Sequence, residues 1–251
     1  MAAPLTAVQL YSLRDQLTAD RKGTLGALAS FGYRAVECHD ALSDPRALRA
    51  DLDAAGLVAC SAHVPALTDQ AQAAFRGART LGATSVVVPF QPPERFTDTD
   101  GVRDLARELN DAAARAADHG LELGYHNHDF ELAQHIDGVP ALEVLADHLD
   151  EAVFLEVDIY WAAVGGQDVP ALLRRLGERV THLHVKDGPV TKDDPMTAVG
   201  AGRMPIADIL AAQPSVRRHI VELDRCATDM LTAVKESYDW LQDHHNARGP
   251  R

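Results

Sequence analysis

The chain has 251 residues, 46% of them hydrophobic and 24% charged, with a formal net charge of −13. That length suits a complete (β/α)8 barrel and exceeds an ordinary two-layer domain, and the composition is that of a globular protein. The negative field disfavours a nucleic-acid partner, and with no apolar run of about 18 residues no membrane span is expected.

The opening Met1-Ala2-Ala3-Pro4-Leu5-Thr6 lacks the basic and apolar segments of a secretory signal. Cys38, Cys60 and Cys226 are widely spaced and odd in number. They predict free thiols in a reducing, cytoplasmic setting.

Strand and helix patterns alternate along the chain. A first strand is predicted at residues 7–11, then a helix at 24–31 with Gly32 as its C-terminal cap. The second strand, 35–38, leads to a helix that Asp44-Pro45 opens and Gly56 ends. A third strand at 57–62 precedes a helix at 68–81 closed by Gly82. The fourth strand, 84–89, is β-branched and apolar on both faces, as a buried parallel strand requires. A loop with two prolines follows at 91–96, then a long helix at 100–119 stopped by Gly120. The fifth strand is 121–127 with a helix at 139–149, and the sixth is 153–158. Val169-Pro170 opens the next helix, which Gly177 closes, and the seventh strand is 180–186. A Gly-, Pro- and Asp-rich loop reaches Met204, and a short helix covers 206–212. The eighth strand is 219–223, and a last helix covers 228–243 before a polar tail, 244–251, that is expected to fray.

Eight β/α units without a linker predict one domain over residues 1–251: a parallel α/β sheet with right-handed crossovers, closed into a single (β/α)8 TIM barrel. A doubly wound open sheet usually carries a glycine fingerprint after its first strand, where this chain has Tyr11-Ser12-Leu13-Arg14.

In such a barrel the catalytic groups come from the C-terminal ends of the strands. Polar residues collect there: Glu37 with His39, then His63, Tyr125-His126-Asn127-His128, Glu156 with Asp158, His182-Leu183-His184-Val185-Lys186-Asp187, and Glu222-Leu223-Asp224. Strand alternation puts Glu156 with Asp158 on one face, as it does His126 with His128, His182 with His184 and Lys186, and Glu222 with Asp224. Taken singly, such a carboxylate caps the next helix and such a histidine is a hydrogen-bonded rim residue. Taken together, carboxylates buried at one mouth require a compensating cation. Carboxylates with imidazoles form a mixed N/O site for Mn²⁺, Co²⁺ or Zn²⁺ in preference to Mg²⁺. Residues further from the mouth would orient the ligands.

These residues carry a resemblance. Val8-Gln9-Leu10-Tyr11-Ser12-Leu13-Arg14, Gly32-Tyr33-Arg34-Ala35-Val36-Glu37, Gly124-Tyr125-His126-Asn127-His128-Asp129-Phe130-Glu131, Glu156-Val157-Asp158-Ile159-Tyr160-Trp161, His182 to Asp187, Gly200-Ala201-Gly202 and Val221-Glu222-Leu223-Asp224 run in family order along the chain. The chain resembles the sugar phosphate isomerase/epimerase family, the xylose-isomerase-like TIM barrels. The resemblance implies one divalent metal ion held from strands five to eight, with Asp158, His184 and Glu222 matching the family's Asp, His and Glu. The strand-five position, Glu in many members, is His126 here, so His126 becomes the fourth ligand, with His128 and Glu131 as rivals. Only one of the two glutamates that flank the substrate carbon in the family's ketose epimerases is therefore matched. The Tyr-His-Asn-His variant is also similar to members that act on keto-sugars or keto-inositols by elimination. Gly200-Ala201-Gly202 lacks the acidic middle residue of many relatives.

The function this implies is a divalent-metal-dependent isomerase or epimerase acting on a sugar, keto-sugar or sugar phosphate, by proton abstraction next to a carbonyl through a metal-stabilised enediolate. Glu222 is the expected base, with His128 or Lys186 handling the returning proton. Glu37 and His63 would position hydroxyls, Tyr11 and Trp161 would stack on the sugar, and Arg203 would hold a phosphate or carboxylate. The alternatives are a metal-dependent lyase or dehydratase on a keto-sugar or keto-inositol, and a non-catalytic sugar-binding barrel. A phosphodiester-cleaving barrel needs a basic track, which the charge opposes. The expected partner is a small carbohydrate, with no nucleic acid and no membrane, and a homodimer is the default assembly.

Overall fold

Every second side chain of a barrel strand points into the lumen, so the strand sequences decide what fills it. A computed structural model describes residues 4–247. Among them eight strands pair in parallel: β1 (Leu5–Gln9), β2 (Ala35–Cys38), β3 (Val58–His63), β4 (Ser85–Val88), β5 (Glu122–His126), β6 (Val153–Asp158), β7 (Val180–Val185) and β8 (Arg218–Val221). They close in the order β1-β8-β7-β6-β5-β4-β3-β2, the predicted TIM barrel. The outward residues of the strands and the apolar faces of the helices form the main core.

The lumen is layered. Ala7, Ala35, Cys60 and Ile220 make a small apolar cluster of their own, with Ala7 in register with both Ala35 and Ile220. Towards the N-terminal end, the Arg218 guanidinium lies 2.6 Å from His182 Nε2 and donates to Thr84 Oγ1 at 2.8 Å. Phe154 fills the width beside Gly124, where a Cβ would lie 2.3 Å from the Phe154 ring. Above the apolar layer, at the C-terminal mouth, the lumen turns polar.

The structure adds elements between the predicted ones. Leu10–Leu13 form a 3-10 turn instead of the end of the first strand, and the first helix runs over Arg14–Phe31, broken at Asp20. Little of its first segment is buried, so no apolar stripe announces it there. Two short helices, Phe130–Ala133 and Ile159–Val164, follow β5 after three residues and β6 at once, and the antiparallel pair His135–Ile136 with Val139–Pro140 precedes the helix Ala141–His148. Such short pieces carry no usable hydrophobic period. The last helix, Met230–Ala247, continues past the predicted end into 244–247, and the rest of the tail, 248–251, lies outside the described residues. Among the described residues, no helix is long and apolar enough to cross a membrane.

Candidate metal centre

The ends of β5 to β8 bring four side chains together. His126 ends β5, Asp158 ends β6, His184 lies one residue before the end of β7, and Glu222 follows β8. Register aligns Asp158 with His184, and His184 with Ile220, two residues before Glu222. All four are buried, and one nitrogen or oxygen from each lies within 4.8 Å of the others. His184 Nδ1 is 2.8 Å from Glu222 Oε2, and His126 Nε2 is 3.9 Å from Asp158 Oδ2. Lys186 enters the same group, its ammonium 2.9 Å from Asp158 Oδ2, 2.7 Å from Glu222 Oε2 and 2.9 Å from Asp224 Oδ2.

Backbone contacts aim these groups. Asp158 Oδ1 accepts from Trp161 N at 2.8 Å and caps the Ile159–Val164 helix, which turns Oδ2 to the cluster. Asn127 ties β5 to β6: its Oδ1 accepts from Asp158 N at 3.0 Å, and its Nδ2 donates to His128 O at 3.1 Å. Ser12 Oγ accepts from Leu223 N at 2.9 Å and pins the segment that carries Glu222 and Asp224. Asp187 organises the loop after β7, its carboxylate accepting from the backbone N–H groups of Gly188, Gly200, Gly202 and Met204. The loop is thus held by Asp187 itself, without an acid at Ala201. Residues such as Asn127, Ser12 and Asp187 act through backbone contacts set by the fold, and an Asn or Ser at a strand end is too common a signal to single out.

A second tier lies beneath. Glu37 is fully buried and accepts from Gln9 Nε2 at 2.9 Å. His184 Nε2 lies 2.7 Å from Glu37 Oε1 and 3.0 Å from Glu156 Oε1, and His63 Nε2 lies 3.2 Å and 2.8 Å from the same two oxygens. Glu37 and His63, predicted to meet substrate hydroxyls, are thus engaged with each other and with His184.

The electrostatics follow the contacts. Burial opposes the charged His184 ring, but Glu156 and Glu222 hold its pKa well above the usual histidine value. Burial likewise opposes a charged His63, and Glu37 and Glu156 raise it to about 10. Desolvation pushes the Glu222 carboxyl up, but Lys186 and His184 outweigh it and hold the pKa well below the carboxylate range. Burial raises Asp158 to about 6 in spite of Lys186. His126 is lowered well below its ordinary value by burial and by the neighbouring His184.

At the rim, His128 stacks on Phe130 and meets Phe90 edge-on, and burial with the Lys186 charge lowers its pKa to about 4. The indole of Trp161 lies 5.6 Å from the Lys186 ammonium. Tyr11 is 40% exposed, with Arg14 over its ring and His39 at its edge. A cleft of about 240 Å³ opens beside His63, walled by His39, Leu67, Val88 and Phe90. Arg203 stands exposed on the loop after β7 with its backbone N–H on Gly188 O, and none of the contacts that build the centre involves its side chain. Glu131, a rival for the strand-five position, is turned away: its carboxylate accepts from Tyr125 Oη and from His128 N, each at 2.8 Å.

The donor set fits a divalent cation. Asp158 Oδ2 and His126 Nδ1 are buried without an aligned hydrogen-bond partner, as are Glu37 Oε2 and Glu156 Oε2. Carboxylates outnumber the ammonium that faces them, and imidazoles complete a mixed N/O donor set.

A family model described as a xylose isomerase-like TIM barrel matches residues 25–243. The inosose dehydratase of Geobacillus kaustophilus (strain HTA426) is 28% identical over 213 residues, covering 74% of this chain and 68% of that protein. A sugar phosphate isomerase/epimerase from Parabacteroides distasonis ATCC 8503 superposes with a TM-score of 0.83 at 24% identity, covering 96% of this chain and 94% of that one. D-psicose 3-epimerase in the presence of D-fructose superposes with a TM-score of 0.66 at 15% identity, covering 98% and 99%. At these identities the structural likeness establishes the fold.

Proposed function

The chain belongs to the xylose isomerase-like TIM barrel family, and on that premise we propose that it is a divalent-metal-dependent enzyme that removes the proton beside the carbonyl of a small keto-sugar or keto-polyol. The observation that carries this reading is the convergence of His126, Asp158, His184 and Glu222 at one end of the barrel. These four would hold the ion, which supplies Lewis-acid stabilisation of the negative charge that develops on the substrate oxygen.

The chain's own side chains do the rest. Glu222, kept ionised by Lys186 and His184, is the base for the proton. Lys186 stays charged, because Asp158, Glu222 and Asp224 outweigh the cost of burying it. It is the proton donor within reach of Glu222. His128 is neutral at neutral pH and has a buried, unpartnered Nδ1, so it can take or pass a proton on the β5 side. Tyr11 and Trp161 offer rings for the apolar face of the substrate, and the cleft beside His63 gives it room.

Once the proton has left, its return on the neighbouring atom or on the opposite face gives an isomer or an epimer. Loss of the adjacent hydroxyl gives dehydration instead. Dehydration is a second reading, favoured by the pairing of one carboxylate with one ammonium in place of two carboxylates, and by the name of the Geobacillus relative. The test is metal-loaded protein in D₂O with D-fructose, D-psicose and an inosose, followed by NMR and mass spectrometry. Deuterium at the carbon beside the carbonyl with unchanged substrate mass otherwise supports isomerisation or epimerisation, and a product that has lost one water, after allowing for the solvent deuterium it takes up, supports dehydration. Sugar binding without exchange or product would move the chain to a non-catalytic binding role.

A further inference from the structure

The cleft beside His63 has walls that the metal centre does not require. It opens between the loops that follow β3 and β4, and Val64, Leu67, Val88, Phe90 and two prolines make its walls apolar. At about 240 Å³ it exceeds the roughly 150 Å³ that admits a benzene ring in a protein interior. It is continuous with the centre. The His63 ring on its wall stacks on His184 with centroids 5.4 Å apart and lies 5.3 Å from the His126 ring. Phe90, 48% exposed at the rim, meets the His128 ring at 5.4 Å. A substrate that reaches the centre between these groups has the cleft beside it.

What the cleft lacks is a cation. Among the described residues, no lysine or arginine lines it. Thr68 spends its hydroxyl on Pro65 O and Gln70 N, and Gln91 Nε2 donates to Phe90 O. Burial lowers the pKa of His39, and any charge on His63 is met by Glu37 and Glu156. At the mouth, Lys186 is held by three carboxylates, and Arg14 donates to Tyr11 O and Asp224 O. A phosphate group carries about −1.5 to −2 charges at neutral pH, and stripping its water against these walls without a partner is costly. An apolar group gains by the same move.

We propose that the cleft receives the end of the substrate farthest from its carbonyl, and that this end is uncharged and apolar, an alkyl or aryl substituent in place of a phosphate. The proposal rests on the metal-dependent keto-sugar reading of the site and adds the substrate class. Leu67 from the β3 side and Phe90 from the β4 side are its specificity-determining residues.

The test is calorimetry on Co²⁺-loaded protein with the methyl ether, the phenyl ether and the phosphate ester of the terminal hydroxyl of D-fructose. All three block the same oxygen, so they differ only in the size and charge of the added group. The phenyl ether should bind about 10- to 100-fold more tightly than the methyl ether, the gain from covering an aromatic ring. The phosphate ester should bind at least about tenfold more weakly than the methyl ether. Nuclear Overhauser contacts from the phenyl protons to the methyl groups of Leu67 and Val88 should place the ring. Leu67→Arg should reverse the order of phenyl ether and phosphate ester. Phe90→Ala should remove most of the phenyl gain, and it carries the test if Leu67→Arg does not fold. A phosphate ester that binds wild type as tightly as the phenyl ether would overturn the proposal, as would a phenyl gain below about threefold or one that both variants keep. Failure of all three ligands to bind would overturn it too. Stripping the Co²⁺ separates the two readings. Affinities and methyl contacts that persist in full without metal would uphold the cleft and remove the metal-centre reading. Metal-dependent binding of the methyl ether without a phenyl gain would remove the cleft proposal alone.

Discussion

Replacing Lys186 by Met keeps the length and much of the volume of the side chain but removes the ammonium. Lys186 is 1% exposed and sits 2.7 Å from Glu222 Oε2 and 2.9 Å from Asp158 Oδ2, both on buried residues. Removing one partner of a buried ion pair costs about 3–5 kcal/mol, because the other charge stays buried. The third pair, to Asp224, adds little, since that side chain is 29% exposed and screened by water. At roughly 2–4 °C per kcal/mol for a protein of this size, the metal-free variant should melt on the order of 10 °C below wild type at pH 8. The deficit should shrink at pH 5. Asp158 already has its carboxyl raised to about 6, and without the ammonium it rises further, so protonation relieves the repulsion as pH falls. A divalent ion should restore part of the loss, about 2.7 kcal/mol at a hundredfold excess over Kd, and should stabilise the variant more than the wild type because it no longer competes with the ammonium. Thermal denaturation of chelator-treated proteins at both pH values, with and without Co²⁺, measures each of these. A variant that melts within about 2 °C of wild type at pH 8 without metal would refute the idea that Lys186 balances this cluster.

Three further outcomes follow from the same contacts. Burial raises the Glu131 carboxyl from 4.5 to about 7, so its contribution is full below the unfolded value and is lost as pH rises through 7. Glu131→Gln is neutral throughout and can keep both hydrogen bonds if Tyr125 reverses its donor, so it should gain about 3 kcal/mol on wild type between pH 4.5 and 8; a difference in urea stability that does not change with pH would contradict this. Asp187→Ala would leave four loop N–H groups without their acceptor, at about 1–3 kcal/mol for each that stays buried, and amide exchange of Gly200, Gly202 and Met204 should speed up while that of β8 does not. Gly124→Ala would push a methyl into Phe154 and cost about 1–3 kcal/mol. A second change, Phe154→Leu, should recover part of that stability, and equal losses in the single and double variants would show that the close approach is not the cause.

Much of the candidate site was legible because a parallel barrel obeys two local rules. Side chains alternate in and out, and the polar ends of the strands gather at one mouth. Those rules alone put Glu156 with Asp158, His182 with His184 and Lys186, and Glu222 with Asp224 on shared faces, as the structure has them. The glycine caps were legible for a similar reason: Gly32, Gly56 and Gly82 close their helices with positive φ, which side chains with a Cβ resist.

What the local pattern did not contain is depth and partnership. The strand ends place Glu37 and His63 at the mouth, but only the closed barrel shows Glu37 enclosed against His184, 147 residues away. The resemblance leaves His126, His128 and Glu131 as rivals, and the short helix after β5 turns Glu131 towards Tyr125 instead of the centre. Register shifts at Val36/Glu37 and Leu155/Glu156 contribute to the stagger of the strands. The sequence by itself determined which side chains enter the lumen and at which end, because that depends on a period of two within each strand. Only the tertiary structure decided which of them meet, because closure and stagger are relations between strands that no single strand encodes.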